Sequence, residues 1–358
     1  MSNNPEKSAL SESGSTPGSR NINPNSAERI KAFRKNKSSE KELLKQLLGG
    51  NKTALGRSIT LVESNQQTHQ KQAEFLVEGA LPYAHKSIRI GITGVPGVGK
   101  STFIESLGSF LIKKGKKIAV LAVDPTSSVS GGSILGDKTR MEELVKEENA
   151  FIRPSPSGDS LGGVARKTRE SIVLCEAAGF DVLLIETVGV GQSETTVHSM
   201  TDFFLLLKLA GAGDELQGIK RGIIEMADAI VINKADGENE KAAREARLEF
   251  KRALHLYPPK ESTWTPKVLL SSALYNTGVS EVWEMISEYE SLARETGYFN
   301  HNRQEQNKFW LLQTINEHLK SRFYNHSEIK TALKEQLKAI EENKTTPFAA
   351  AKYLLSLG

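Results

Sequence analysis

The sequence predicts an α/β fold: a mainly parallel sheet flanked by helices, with an N-terminal helical extension and a C-terminal helical arm. Three observations carry that expectation. Short apolar runs alternate with helical patterns through the middle of the chain, whereas the segments on either side of it carry apolar residues only at helical spacing. The glycine-rich string from Gly94 to Thr102 stands between a strand-like run and a helix-like one. With 358 residues, 38% hydrophobic and 25% charged, the chain is long enough to enclose a large core.

Residues 1–38 are rich in Ser, Asn, Gly and Pro and lack both an apolar signal core and an arginine-rich amphipathic pattern, so a disordered tail on a cytoplasmic protein is expected. In 39–86, Leu43, Leu44, Leu47 and Leu48 form one stripe, Gly49-Gly50 breaks it, and Leu55, Ile59 and Val62 resume it. Between 87 and 297, strands are expected at 87–93, 117–123, 150–153, 180–187, 202–209, 227–233 and 266–271. From 298 to 358 strand signals stop. Leu312, Ile315, Leu319 and Phe323, then Ile329, Leu333, Leu337 and Ile340, predict two amphipathic helices turning near Asn325-His326. These helices either pack back on the sheet or form a subunit interface, and the sheet pattern is complete without them.

Composition removes several functions. The 47 basic and 43 acidic residues, net +4, are interspersed apart from clusters such as Lys113-Lys114-Gly115-Lys116-Lys117, which a solvated surface explains, so no nucleic-acid partner is expected. No run reaches the roughly eighteen apolar residues of a membrane helix; the longest, Phe203–Leu207, is strand-sized. Cys175, the one cysteine, lies among Ile172, Val173, Leu174 and Ala177 and reads as a small buried hydrophobe. One cysteine and seven scattered histidines argue against metal delivery.

The chemistry begins where Ile90-Gly91-Ile92-Thr93 runs into Gly94-Val95-Pro96-Gly97-Val98-Gly99-Lys100-Ser101-Thr102, followed by Phe103, Ile104, Leu107 and Leu111 at helical spacing. Strand, glycine-rich loop and helix in that order make a P-loop: glycines let backbone N–H groups face a phosphate chain, and the helix N-terminus adds its dipole. Lys100 is expected to reach the β- and γ-phosphates, Ser101 to bind Mg²⁺, and Thr102 to approach the α-phosphate. Farther on, a strand ends in Asn233-Lys234-Ala235-Asp236. A carboxylate there accepts from the N1–H and 2-amino group of guanine, whereas adenine leaves it unpaired, so GTP is expected. Ser271-Ser272-Ala273-Leu274, after the next strand, would close over the base through backbone amides.

The strand 182–185 delivers Glu186-Thr187-Val188-Gly189, where common GTPases carry Asp-x-x-Gly with the Asp on the Mg²⁺ shell and the Gly amide on the γ-phosphate. Glu186 acts either on the metal or on the attacking water. Asp124 and Asp137 are candidates for the Mg²⁺ shell or for positioning water, against a plain turn and a helix cap. Gln192 either orients water or opens a helix. In 210–222, Lys220 or Arg221 offsets phosphate charge, or the segment is an ordinary loop.

Together the strings Gly94–Thr102, Asp124-Pro-Thr-Ser, Gly131–Met141, Glu186–Glu194 and Gly211–Lys220 closely resemble the methylmalonyl-CoA mutase-associated GTPases, known as MeaB in bacteria and MMAA in humans, over about residues 40 to 345. The resemblance implies a homodimeric G-protein chaperone of an adenosylcobalamin-dependent acyl-CoA mutase that gates cofactor loading and protects or reactivates the mutase. It implies switches at 126–141, 187–200 and 210–222, and dimer arms in the C-terminal helices. Lys208-Leu209 departs from the proline-containing turn expected before the third switch. The chain has no Asp-x-His-x-x-Gly string, so contact with the mutase without direct cobalamin binding is expected. Family members have also been labelled kinases of periplasmic lysine, arginine and ornithine transport proteins, and that phosphotransferase is the alternative.

Overall fold

The computed structural model describes residues 39–123, 141–154, 161–188, 193–211 and 221–357. The chain opens with α1 (Glu40–Leu48), α2 (Lys52–Glu63) and α3 (Gln67–Ala80). Ser39 caps α1 by accepting from the Glu42 amide at 3.3 Å, and Asn51 caps α2 by accepting from Ala54 at 2.9 Å. Gly50, at φ +78°, makes the break between them.

Then β1 (Ile88–Gly94), α4 (Lys100–Lys113), β2 (Ile118–Val123), β3 (Ala150–Arg153), α5 (Leu161–Ala177), β4 (Val182–Thr187), α6 (Ser193–His198) and β5 (Phe203–Leu209) follow. Next come α7 (Arg221–Met226), β6 (Ala229–Asn233), α8 (Glu240–Leu254), β7 (Lys267–Leu270) and α9 (Val279–Glu295). The seven strands lie in the order β3-β2-β4-β1-β5-β6-β7, and every neighbouring pair is parallel. Parallel pairing needs a crossover between strands, and those crossovers place helices on both faces.

Strand alternation divides the core. Ile90, Ile92, Val182 and Leu184 meet Phe103, Ile104 and Leu107 of α4 and Val282 and Ile286 of α9. Ala119, Leu121, Leu183 and Ile185 meet α5 and the N-terminal helices through Leu47, Leu55, Ile59 and Leu76. Leu206, Ile230 and Ile232 cover α8 through Ala243, Ala246 and Phe250. The N-terminal helices therefore share a core with the sheet, through α5. Cys175 sits in this core, where burial pushes its thiol above the usual range.

The C-terminal region holds α10 (Tyr298–Asn325), α11 (Ser327–Glu341) and α12 (Pro347–Leu355). The turn falls at His326, as the sequence predicts, but a third helix follows where periodicity gave two. At 9 residues α12 is too short to repeat an apolar pattern; Pro347 in its first turn and Thr346, accepting from Ala349 at 3.2 Å, start it. Among the described residues no helix is long and apolar enough to cross a membrane.

Residues of α10 grip the segment between α6 and β5. Arg303 donates to both Asp202 carboxylate oxygens, at 2.8 and 2.6 Å, and to the Ser87 carbonyl at 2.7 Å. Gln306 donates to the Thr201 carbonyl at 2.7 Å and Trp310 to the Ser199 carbonyl at 3.1 Å. Deeper in, Arg89 forms a fork on Glu176 at 2.9 and 2.8 Å. Burial alone would raise the Glu176 carboxyl, yet Arg89, Arg303 and the Ser87 hydroxyl hold it down at about 2.

Candidate nucleotide site

Register aligns the carboxyl ends of the central strands, where ligands of open parallel sheets collect. Ile92 of β1 and Ala122 of β2 both pair with Glu186 of β4, and Leu209 of β5 pairs with Asn233 of β6. Motifs more than a hundred residues apart thus meet on one edge.

Gly94 ends β1, and a Cβ there would stand 2.6 Å from the Leu207 carbonyl oxygen. Buried Val98 anchors the loop in the core, while Gly97 (φ +81°) and Gly99 (φ +92°) take left-handed backbone that L side chains resist. A Cβ at Gly99 would also lie 2.8 Å from the Asn233 Nδ2. Helix α4 begins at Lys100, so its first-turn amides, which lack intrahelical partners, open onto the loop. The Lys100 ammonium donates to the Gly94 carbonyl at 2.7 Å and the Val95 carbonyl at 3.3 Å, folding back over the cradle that phosphates would fill. Pro96 lies in the loop between them, and Thr102 is exposed one residue beyond half-buried Ser101.

The Ser101 hydroxyl donates to the Glu186 carboxylate at 3.3 Å, and Glu186 is buried at 4% exposure. Next to it, Thr187 donates to the Thr93 hydroxyl at 2.9 Å and locks β4 to β1 at the same level. Among the described residues no group of three or more His, Cys, Asp or Glu side chains is placed to hold a metal ion. Mg²⁺ does not need one: it takes one or two protein oxygens and completes its shell with water and phosphate oxygens. Ser101 and Glu186 are hard oxygen donors placed side by side beside the phosphate cradle, so the residues present fit that ion.

At the other end, Asn233 is buried and bridges two loops: its Nδ2 donates to the Val98 carbonyl at 2.8 Å, and its Oδ1 accepts from the Ala273 amide at 3.3 Å. Lys234 adopts φ +57°, and the Ala235 amide donates to the Ser271 carbonyl at 3.0 Å. The Ser272 hydroxyl donates to the Asp236 carboxylate. A cavity of about 560 Å³ opens there, lined by Asp236, Ser271, Ser272, Tyr275, Gly278 and Glu281. Leu274 is exposed at the rim.

The structure thus brings Gly94, Val95, Pro96, Gly97, Val98, Gly99, Lys100, Ser101, Thr102 and Glu186 to one place, beside Asn233, Lys234, Asp236 and 271–274. Asp124, Asp137, Gly189, Gln192 and Lys220 lie outside the described residues. Tyr275, which lines the cavity beside Asp236, and a contact in which the Ser106 hydroxyl donates to the Asn276 Oδ1 at 2.6 Å adjoin the site without any sequence signal. A larger cavity, about 680 Å³, opens at the amino ends of β5 and β6, lined among others by His198, Asp228 and Lys260. It contains none of the motif residues, so size does not mark the chemistry here.

Similarity to known proteins agrees with this geometry. The family model described as "Methylmalonyl Co-A mutase-associated GTPase MeaB" matches residues 55–328. The GTPase ArgK of Escherichia coli is 43% identical over 319 residues, covering 89% of this chain and 96% of that protein. The mitochondrial methylmalonic aciduria type A homolog of Mus musculus is 43% identical over 319 residues, 86% of this chain and 77% of that protein. The crystal structure of a LAO/AO transport system kinase superposes with TM-score 0.73 at 37% identity, covering 90% of this chain and 98% of that one. On the extent of these matches, the chain belongs to the family of methylmalonyl-CoA mutase-associated GTPases.

Proposed function

We propose that this chain is a GTP-hydrolysing chaperone of an adenosylcobalamin-dependent acyl-CoA mutase, most simply methylmalonyl-CoA mutase, and that it works as a homodimer. The observation that carries the reading is the mutase-associated GTPase family match over 55–328, on a chain whose site joins a P-loop to a guanine-selective carboxylate.

Lys100 exchanges the carbonyls of Gly94 and Val95 for the β- and γ-phosphates, and the first-turn amides of α4 hold the remaining phosphate oxygens. Asp236, oriented by Ser272, accepts from the N1–H and 2-amino group of guanine; adenine would leave that carboxylate unpaired. Ser101 and Glu186 hold Mg²⁺ directly or through its waters, and the ion when bound neutralises charge on the β- and γ-phosphates. Glu186 is buried beside β1 and β2, so it holds its carboxylate in one place whether its hydrogen-bond partner is a metal-bound or an attacking water. Asp124, Asp137, Gly189, Gln192 and Lys220 complete the phosphate end, as groups for the Mg²⁺ shell, the γ-phosphate and the attacking water. Exposed Leu312, Ile315 and Leu319 on α10 supply the apolar contact between protomers.

Two measurements test this together: GTP against ATP hydrolysis, and recovery of an adenosylcobalamin-dependent acyl-CoA mutase from extract on GTP-analogue-loaded protein. Guanine preference with the mutase retained, both lost in Lys100→Ala, is the expected result. Similarity to a transport system kinase favours a second reading, phosphoryl transfer to a protein acceptor. That reading requires label from γ-labelled nucleotide to appear on a transport binding protein, and ATP preference with such transfer would overturn the first.

A further inference from the structure

The loop from Ser272 to Thr277 carries the residues that orient the base-reading carboxylate, and it is closed on itself. The Ser272 amide donates to the Thr277 carbonyl at 2.9 Å and the Thr277 amide donates back at 3.1 Å. The Ser271 hydroxyl donates to the Thr277 carbonyl at 3.0 Å. The Ser272 hydroxyl accepts from the Tyr275 amide at 3.4 Å while donating to Asp236. Where Asp236 points therefore depends on where this loop stands.

Two side chains tie the loop to the phosphate-binding element. One is Asn233, a member of the base motif, which joins Val98 to Ala273. The other belongs to no motif: the Ser106 hydroxyl donates to the Asn276 Oδ1 at 2.6 Å. Ser106 lies six residues past Lys100 on α4 and is 7% exposed. A buried helical serine ordinarily satisfies its hydroxyl on the carbonyl one turn back; this one reaches across to another element. Asn276 sits at φ +56°, a left-handed backbone that asparagine tolerates better than most residues. The turn residue and its acceptor are thus one residue, aimed at the helix whose N-terminus cradles phosphate.

We infer that Ser106 and Asn276 are positioning residues for guanine recognition, holding the 272–277 loop at a fixed distance from the P-loop helix so that Ser272 presents the Asp236 carboxylate to the base. The inference rests on the reading of Asp236 as the guanine contact. Neither residue belongs to the phosphate or base motif, so their loss leaves those motifs' groups in place but looser in relative position.

The test uses the full chain, four single variants and one double variant, with GDP, IDP and XDP affinity, GTP turnover and thermal unfolding as readouts. Ser106→Ala removes the donor. Asn276→Gly removes the acceptor while accepting the same φ, and Asn276→Asp keeps both the acceptor and the turn. Expected are GDP affinities about three- to tenfold weaker in Ser106→Ala and Asn276→Gly, the range one lost hydrogen bond gives. IDP, lacking the 2-amino group, weakens less, so the guanosine-over-inosine ratio narrows. The KM for GTP rises while kcat at saturation holds, the double variant Ser106→Ala/Asn276→Gly is no worse than either single, and Asn276→Asp matches the parent. Unchanged GDP affinity, equal weakening of GDP and IDP, or Asn276→Asp behaving like Asn276→Gly would overturn the assignment.

The fourth variant, Asp236→Asn, separates this from the underlying reading. An amide there donates to the 2-oxo group of xanthine, so preference should pass from guanine to xanthine nucleotides. If that exchange occurs and the Ser106 and Asn276 variants are silent, only the positioning role fails; if it does not occur, both readings fall.

Discussion

Gly97 and Gly99 divide the work of the phosphate cradle between them. Both need left-handed backbone, but a Cβ on Gly97 meets nothing within 4 Å, whereas one on Gly99 would press on the Asn233 amide at 2.8 Å. Gly97→Ala thus carries backbone strain of about 1–2 kcal/mol. Gly99→Ala carries that strain and also displaces the side chain that joins P-loop to base loop. Fluorescent-GDP titration should find Gly99→Ala at least tenfold weaker than Gly97→Ala; equal affinities would mean that Asn233 yields without consequence. These glycines were legible from the string alone because backbone conformation is a local property. The close approach to Asn233, 134 positions away in the chain, was not.

Helix α10 earns its place through polar bonds as much as through apolar packing. Arg303, Gln306 and Trp310, on successive turns, hold the carbonyls and carboxylate of 199–202, immediately after α6. Removing Arg303 leaves the buried Asp202 carboxylate without its cation, so Arg303→Met should lower stability by about 3–5 kcal/mol in urea unfolding. A loss under 1 kcal/mol would show the pair to be dispensable.

The neighbouring Glu176 predicts a pH dependence. Its folded value, about 2, lies below its ordinary 4.5, so the unfolded chain binds the proton first. Its stabilisation is complete above 4.5 and is lost as pH falls from 4.5 towards 2. The urea midpoint of the parent should fall through that window, and Glu176→Gln should flatten the slope there; an unaltered slope would assign acid unfolding to other carboxylates. None of this network was legible in the sequence. Arg89, Glu176 and Arg303 occupy three elements and Asp202 the connection before β5, and charged residues at such separations have no periodicity to announce them.

For the whole molecule, the proposed homodimer puts its contact on the C-terminal arm. Leu312 is 61% and Leu319 59% exposed on α10, seven residues apart and so on one face of the helix. Exposed leucines at that spacing fit a helix-to-helix contact between protomers. Leu312→Glu/Leu319→Glu should run as a monomer in light scattering while keeping GDP affinity, because both side chains are exposed and neither belongs to the nucleotide site. A dimer that survives both charges would place the interface elsewhere.

The sequence by itself determined the strands, their parallel arrangement, the P-loop and the position of Glu186 at the end of β4, since hydrophobic period, glycine placement and strand-end position are written in consecutive residues. It also marked the helical arm, though it missed α12, whose nine residues are too few to repeat a pattern. Only the tertiary structure decided what those segments touch. It packed the N-terminal helices into the core through α5, seated Asn233 between two loops, and closed Asn276 onto Ser106 across 170 positions. The physical reason is that a hydrogen bond between distant residues depends on strand order and register, which emerge only when the whole sheet has formed.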